Sequence, residues 1–271
     1  MPAGAREARS RYLSGMALGR RKVGLDDPAA WVFNRMADVY DARPPYPEPL
    51  VSALAALAPP GGRVADLGAG IGHVALPLAA RGLSMVAVEP ARAMLTRLEE
   101  AAAARGLALE THHATAEAPP LAPGSIDLAV IADALHFLDA ERTGLAVERA
   151  LTDAGALAVV TCRLADTPFM RGVVAAMEAS APRRPRDVTG PLTQLFALAG
   201  VSLTDTLELA DETPVDDDTL ERILRSISFI GPAMNAARFA AFRERLRALP
   251  DEPRWARSFT VYVGRRGRTA T

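Results

Sequence analysis

The sequence predicts an α/β protein built on a doubly wound, largely parallel sheet, and three observations predict it. Short runs rich in β-forming residues, at 63–67, 84–88, 107–113, 126–132 and 156–162, alternate with stretches of helical period. Strands that are apolar throughout belong in a sheet covered on both faces, which is how parallel strands connected by helices are packed. The first run passes directly into three alternating glycines and then a helix, and 271 residues suffice for one large domain with a modest insertion.

The elements follow in order. Residues 1–22 carry Arg6, Arg9, Arg11, Arg20, Arg21 and Lys22 against the single acid Glu7, with little apolar periodicity, and read as a mobile tail. An organellar transit segment is the alternative. Trp31, Val32, Met36, Val39 and Tyr40 have helical spacing until Pro44-Pro45-Tyr46-Pro47 breaks it, and Leu50, Val51, Leu54 and Leu57 mark a second helix. Helices are expected at 74–80, at 91–105 with Met94, Leu95, Leu98 and Ala102 on one face, and at 139–151. After Cys162 the rhythm changes: a helix at 191–199 and a strand at 201–209 precede two helices, 218–227 and 235–249, and a last strand at 259–263. The run Asp216-Asp217-Asp218 reads as a solvated loop capping the helix behind it.

Composition narrows the function classes. The single Cys162 excludes a disulfide framework and a multi-thiolate metal site, so a reducing, cytoplasmic setting is the default. No apolar run approaches the roughly 20 residues needed to cross a bilayer, and the first thirty residues lack a signal-peptide core. A net charge of -1 lacks the basic footprint of a nucleic-acid partner. Lys22 is the only lysine among 31 basic residues, a bias that reflects a GC-rich, bacterial coding sequence more than physical design. His112 and His113 are adjacent on a strand and face opposite sides, so no metal site is expected there.

The most informative stretch is Val64-Ala65-Asp66-Leu67-Gly68-Ala69-Gly70-Ile71-Gly72-His73. Glycines between a strand and a helix let the backbone turn sharply and approach a ligand at the helix N-terminus. A P-loop needs Gly-Lys-Ser/Thr, which is absent, and the dinucleotide fingerprint requires glycine where His73 stands. Asp66, just before the first glycine, repels a pyrophosphate and suits a ligand with positive charge, such as the sulfonium and ammonium of S-adenosylmethionine, whose carboxylate is left to the loop N–H groups. The second strand ends at Glu89-Pro90, which puts an acid about twenty residues beyond the glycines, where a ribose diol would lie.

Together, Val64–Gly72, Glu89 and Ile126-Asp127-Leu128-Ala129-Val130-Ile131 resemble the cofactor-binding pattern of class I SAM-dependent methyltransferases. The segments Phe33–Tyr40 and Arg43-Pro44-Pro45-Tyr46-Pro47 are similar to the opening of that family's small-molecule branch, which includes trans-aconitate methyltransferase-like enzymes. The resemblance implies a Rossmann-like sheet of seven strands, mostly parallel with an antiparallel final strand, plus an N-terminal helical cover and a helical insertion. It divides the chain into a flexible basic tail at 1–30, the cover at 31–60, a cofactor core at 61–165, and the rest of the core at 166–271, with the insertion at about 214–250 and a terminal strand at about 258–264. It also implies that Asp66, Gly68, Ala69, Gly70 and Gly72 hold the methionine part and Glu89 with Pro90 the ribose, that Thr115 and Ala116 sit against adenine, and that Ala132 borders the cofactor. Relatives commonly have Asp where Thr115 stands, which leaves the adenine amino group to the main chain.

Methyl transfer from a sulfonium is an in-line displacement on an activated donor, so alignment and exclusion of water are the main requirements. The fourth strand ends at Ala132-Asp133-Ala134-Leu135-His136-Phe137, the carboxyl edge where open α/β sheets bind their substrates. His136 is the candidate base for a hydroxyl or amine proton, or else a helix cap or plain pocket residue, and Asp133 either orients the acceptor or bonds its own loop. In the cover, Tyr40, Arg43 and Tyr46 are candidate acceptor contacts, Arg43 for a carboxylate, with a salt bridge inside the cover as the alternative. The expected activity is transfer of a methyl group from S-adenosylmethionine to a small molecule, at oxygen before nitrogen or carbon, leaving S-adenosylhomocysteine. An RNA or protein methyltransferase and a non-catalytic SAM-binding protein of the same fold are the rivals. The expected assembly is a monomer or homodimer.

Overall fold

The computed structural model describes residues 31–181, 188–249 and 252–267, so the basic segment read as a tail lies outside the described residues. Among the described residues seven strands form one sheet: β1 Arg63–Leu67, β2 Ser84–Val88, β3 Glu110–His112, β4 Ile126–Ala132, β5 Leu151–Leu164, β6 Ser202–Pro214 and β7 Arg254–Arg265. Their order is β3-β2-β1-β4-β5-β7-β6. Strands β1 to β5 pair in parallel, while β7 runs antiparallel to both β5 and β6, so the doubly wound sheet and its antiparallel final strand are as expected. Strand order reverses at β1, which opens a crevice at the carboxyl ends of β1 and β4.

The helices are α1 Ala37–Tyr40, α2 Glu48–Ala55, α3 Ala75–Ala79, α4 Arg92–Ala104, α5 Ala140–Ala150, α6 Pro168–Ser180, α7 Thr189–Leu198, α8 Asp217–Arg225 and α9 Ala236–Arg247. Among the described residues no helix is long and apolar enough to cross a membrane. Alternate strand residues feed two apolar layers. Val64, Met85, Leu128, Val130 and Ala158 pack under Leu50, Leu54, Leu78 and Leu98 on one face, and Ala65, Val86, Ile131, Leu157 and Val159 under Val147, Leu195 and Phe196 on the other. A third cluster joins α6, α8 and α9 through Phe169, Val173, Ile223, Leu224, Phe239 and Phe242, with Trp255 of β7 against it.

Several boundaries differ from those the sequence suggests, each for a physical reason. The single helix expected from Trp31 to Tyr40 is a 3-10 turn, Val32–Arg35, followed by the four-residue α1. Strand β3 shrinks to three residues, because it pairs only with β2 at the sheet edge. Strands β5, β6 and β7 all run longer than expected, since their polar ends pair with one another from Ala156↔Arg265 outward to Leu164↔Arg257 and Pro214↔Arg254. Helix α6 was not anticipated; Thr167 caps it by accepting from the Met170 amide, and Pro168 begins it. The acid run behaves as read, with Asp216 accepting from the Thr219 amide at 2.7 Å.

The N-terminal segment is tied to the sheet by Arg257 in β7, whose side chain is 8% exposed. Its guanidinium donates to the carbonyls of Pro44 at 2.8 Å and Pro45 at 2.7 Å and pairs in bidentate fashion with Asp211, its register partner on β6. Arg257→Ala removes all of these bonds and leaves Asp211 alone. It is expected to lower stability by about 3 kcal/mol in chemical denaturation, with Arg257→Lys intermediate because an ammonium cannot reproduce the fork.

Candidate active site

A cavity of about 570 Å³ lies at the carboxyl edge of the sheet, beneath the segment 31–46. Its inner half is built by the glycine loop and by Glu89 at the tip of β2. Gly68 and Ala69 both donate their amides to the Val88 carbonyl, at 2.8 and 3.1 Å, which pins the loop to β2. Glu89, 5% exposed, accepts from the Gly70 amide at 2.9 Å through Oε2 and from the Ala91 amide at 2.8 Å through Oε1. The Gly72 amide bonds the Ala69 carbonyl at 2.9 Å. The Gly68, Ala69, Gly70 and Gly72 amides thus all have protein acceptors, which fixes the shape of the loop.

The three glycines have different duties. Gly70, at φ +57°, has nothing within 4 Å of a Cβ position and lines the cavity, so its missing side chain is open space for a ligand. At Gly68 a Cβ would sit 3.0 Å from that of Ala134. Gly72, at φ +92°, turns toward the core, where a Cβ would meet Leu76 at 2.9 Å and Leu98 at 3.0 Å. Gly72, Ala69 and Asp66 are not among the residues that line this cavity.

Asp66 is 1% exposed, accepts from the Ala75 amide, and has no partner for Oδ2 among the described residues. Burial, reinforced by repulsion from Glu89, pushes its carboxyl up to about 7. Burial likewise lifts Glu89 to about 7 against the pull of its two amide donors. Gly68, Gly70, Glu89, Pro90, Thr115, Ala116 and Ala132 do line one cavity, as do Tyr40, Arg43, Tyr46, Asp133 and His136. The sequence-predicted cofactor and acceptor groups thus face the same space.

At the centre, Asp133 adopts a left-handed conformation, φ 49°, held by its amide bond to the Val160 carbonyl at 2.8 Å. Its carboxylate lies 4.0 Å from Arg43. Arg43 donates to the Ser226 hydroxyl at 2.8 Å, to the Ser226 carbonyl at 2.9 Å and to the Tyr40 hydroxyl at 3.2 Å, which makes it a strap between the N-terminal segment and α8. His136 sits in a 3-10 turn, Leu135–Phe137, its ring 4.0 Å from that of Phe137. His112 contacts Glu110 and His113 the Pro90 carbonyl, so the two adjacent histidines have separate partners.

Several wall residues escaped the sequence reading. His73 stacks on Tyr40 with ring centroids 6.0 Å apart and meets Tyr46 edge-on. Burial, with repulsion from Arg43 and Arg257, pushes it down to about 4, so the ring is neutral. Its only sequence signal was its place directly after the third glycine. Burial also raises the Tyr40 and Tyr46 hydroxyls. Cys162 packs against the apolar layer under β1 and β2. It also lines the cavity two residues before β5 ends, and burial pushes its thiol up to about 12, so it stays protonated.

A seven-stranded sheet in this order, with a glycine turn after β1 and an acid at the tip of β2, defines the class I SAM-dependent methyltransferase architecture. Residues 64–155 match the family model described as a methyltransferase domain. The chain is 36% identical over 146 residues to an uncharacterized methyltransferase of Mycobacterium tuberculosis, covering 54% of this chain and 55% of that protein. It thus spans about half the length of the curated relatives it matches. Among solved structures, the YcgJ protein of Bacillus subtilis is similar, with a TM-score of 0.54 and 18% identity over 80% of this chain and 96% of that one. So is the geranyl diphosphate C-methyltransferase of Streptomyces coelicolor, solved with Mg2+, geranyl-S-thiolodiphosphate and S-adenosyl-L-homocysteine, with a TM-score of 0.51 and 12% identity over 98% and 100% of the two chains. At these identities the likeness is one of fold.

The raised carboxyls make stability fall with pH. A carboxyl held near 7 in the fold but near 4 in the unfolded chain binds more protons when folded, so its contribution is complete below about pH 4 and lost as pH rises through 7. Asp66→Asn is therefore expected to melt at least about 2 °C above the wild type at pH 8.5 and to show no such gain at pH 5, by thermal denaturation at the two pH values.

Proposed function

We propose that this chain is a SAM-dependent methyltransferase that transfers a methyl group to a small-molecule acceptor, at oxygen before nitrogen or carbon, in the cytoplasm. The observation that carries the reading is the cavity itself: a preformed glycine wall and Glu89 at one end, candidate proton-handling groups at the middle, and a strapped N-terminal segment above. The residues present fit the cofactor. Gly70 leaves space where any side chain would intrude, and Glu89 borders that space with lone pairs beyond the two that its amide donors occupy.

Bound in the inner half, S-adenosylmethionine supplies a methyl group already activated as a sulfonium. Glu89 is then placed to accept from the hydroxyls of a ribose, and Thr115 and Ala116 to border the base. Tyr40, Arg43 and Tyr46 roof the acceptor and keep water out, while Asp133, fixed by its backbone and facing Arg43, orients it. His136 takes the proton that a hydroxyl or amine acceptor gives up. A cavity of about 570 Å³ is of a size for a small molecule.

Isothermal titration with S-adenosylhomocysteine tests the reading: the wild type is expected to bind, and a folded protein that binds none would refute it. Gly70→Arg is expected to abolish binding by filling the open space, and Glu89→Ala to weaken it by about tenfold or more. In a methyl-transfer assay over a panel of metabolites, His136→Ala is expected to lower kcat by roughly 100-fold while leaving S-adenosylhomocysteine affinity unchanged. An undiminished kcat removes His136 from proton transfer.

A further inference from the structure

The outer half of the cavity carries three arginines, Arg43, Arg163 and Arg257. Two are committed within the protein. Arg43 holds Ser226 and Tyr40, and Arg257 holds Asp211 and the carbonyls of Pro44 and Pro45. Arg163 is different: among the described residues it has no ion pair and no side-chain hydrogen bond, yet it is one of the cavity-lining residues. The carboxylates on the wall are engaged elsewhere, Glu89 by two amides, Glu117 by the Asp139 amide and Asp133 by its approach to Arg43.

Position along the strand adds a length. Val160 of β5 pairs with Ala132, the last residue of β4, and its carbonyl holds the Asp133 amide. Arg163 lies three residues farther out, on the part of β5 that extends past β4 and pairs with Ser258 of β7. At the rise of an extended strand this is about 10 Å beyond the level of Asp133. The wall beyond that level is otherwise largely apolar, with Leu164, Met177, Val188, Phe229 and Trp255.

Resting on the methyltransferase reading, we propose that the acceptor is an apolar small molecule bearing an anionic group, carboxylate or phosphate, that Arg163 binds at the outer end of the cavity. The reacting atom then lies about 10 Å away, near Asp133 and His136. An unpaired guanidinium at the mouth of an apolar chamber selects a planar anion by charge and by its fork of donors. Arg43 and Arg257 offer less, because three of the five N–H groups of Arg43 and four of those of Arg257 already have protein acceptors.

The test is titration of the protein preloaded with S-adenosylhomocysteine, using 4-hydroxycinnamate, its phosphonate analogue and the neutral 4-hydroxycinnamamide as probes. In the wild type the two anions are expected to bind at least about tenfold tighter than the amide, with the margin shrinking as salt is raised. Arg163→Gln is expected to erase that margin while amide binding is unchanged, and Arg163→Lys to restore part of it. Equal affinity for anion and amide, no binding of any probe, or a margin that survives in Arg163→Gln overturns the proposal. The S-adenosylhomocysteine titration of the same preparations separates the two levels: cofactor-product binding without an anion margin removes only the acceptor assignment, and its absence removes the methyltransferase reading itself.

Discussion

The site depends first on one buried carboxylate. Glu89 ends β2 and bridges the Gly70 amide of the first crossover to the Ala91 amide at the start of the second, so the two loops that form the cavity floor are locked together. From there the order spreads outward. Ala91 and Met94 pack against Met36 and Ala37, and the Ala93 amide donates to Asn34 at 3.0 Å, which seats the N-terminal segment on the first turn of α4. Two amide donors hold a carboxylate that burial alone would discharge, and the balance leaves it near neutrality instead of fully charged.

The roof is held from its other side by arginines. Arg257 ties Pro44 and Pro45 to β7, and Arg43 ties Tyr40 to Ser226, a residue with no exposed surface. Both charges line the cavity, yet both act as structural cross-links between segments far apart in sequence. A charged side chain on a pocket wall therefore says little about the ligand until its partners are counted. That distinction separates Arg43 and Arg257 from Arg163, although all three are the same residue type on the same wall.

What was legible in the sequence follows the same physical divide. Strands buried on both faces announce themselves by composition, so β1, β2 and β4 were bounded to the residue. The glycine turn and Glu89 were legible because backbone conformation and fixed spacing leave few alternatives. Strand β6 was legible only as far as Leu209, since its outer part, Ala210–Pro214, carries Asp211, Glu212 and Pro214 and reads as loop until its pairing with β7 is seen. The polar ends of β5 and β7 look like loop until their pairing is seen. Arg257 reads as surface charge, and its burial depends on Asp211 and two proline carbonyls brought from distant parts of the chain. Asp66 was legible as an acid ahead of the glycines, but its burial and its bond from the Ala75 amide were not.

That burial gives Asp66 an indirect role. Two carboxyls, Asp66 and Glu89, each pushed up to about 7, lie under and beside the inner half of the cavity; burial disfavours the ionised form of both, and their amide donors offset part of it. In the empty fold, rising pH forces charge into buried sites and so opposes stability. A ligand carrying positive charge in the adjacent space reverses the balance, because it favours the ionised carboxyls, and linkage then requires proton release on binding near neutral pH. The same pair of acids thus makes pH act in opposite directions on the empty fold and on its affinity for a cationic occupant.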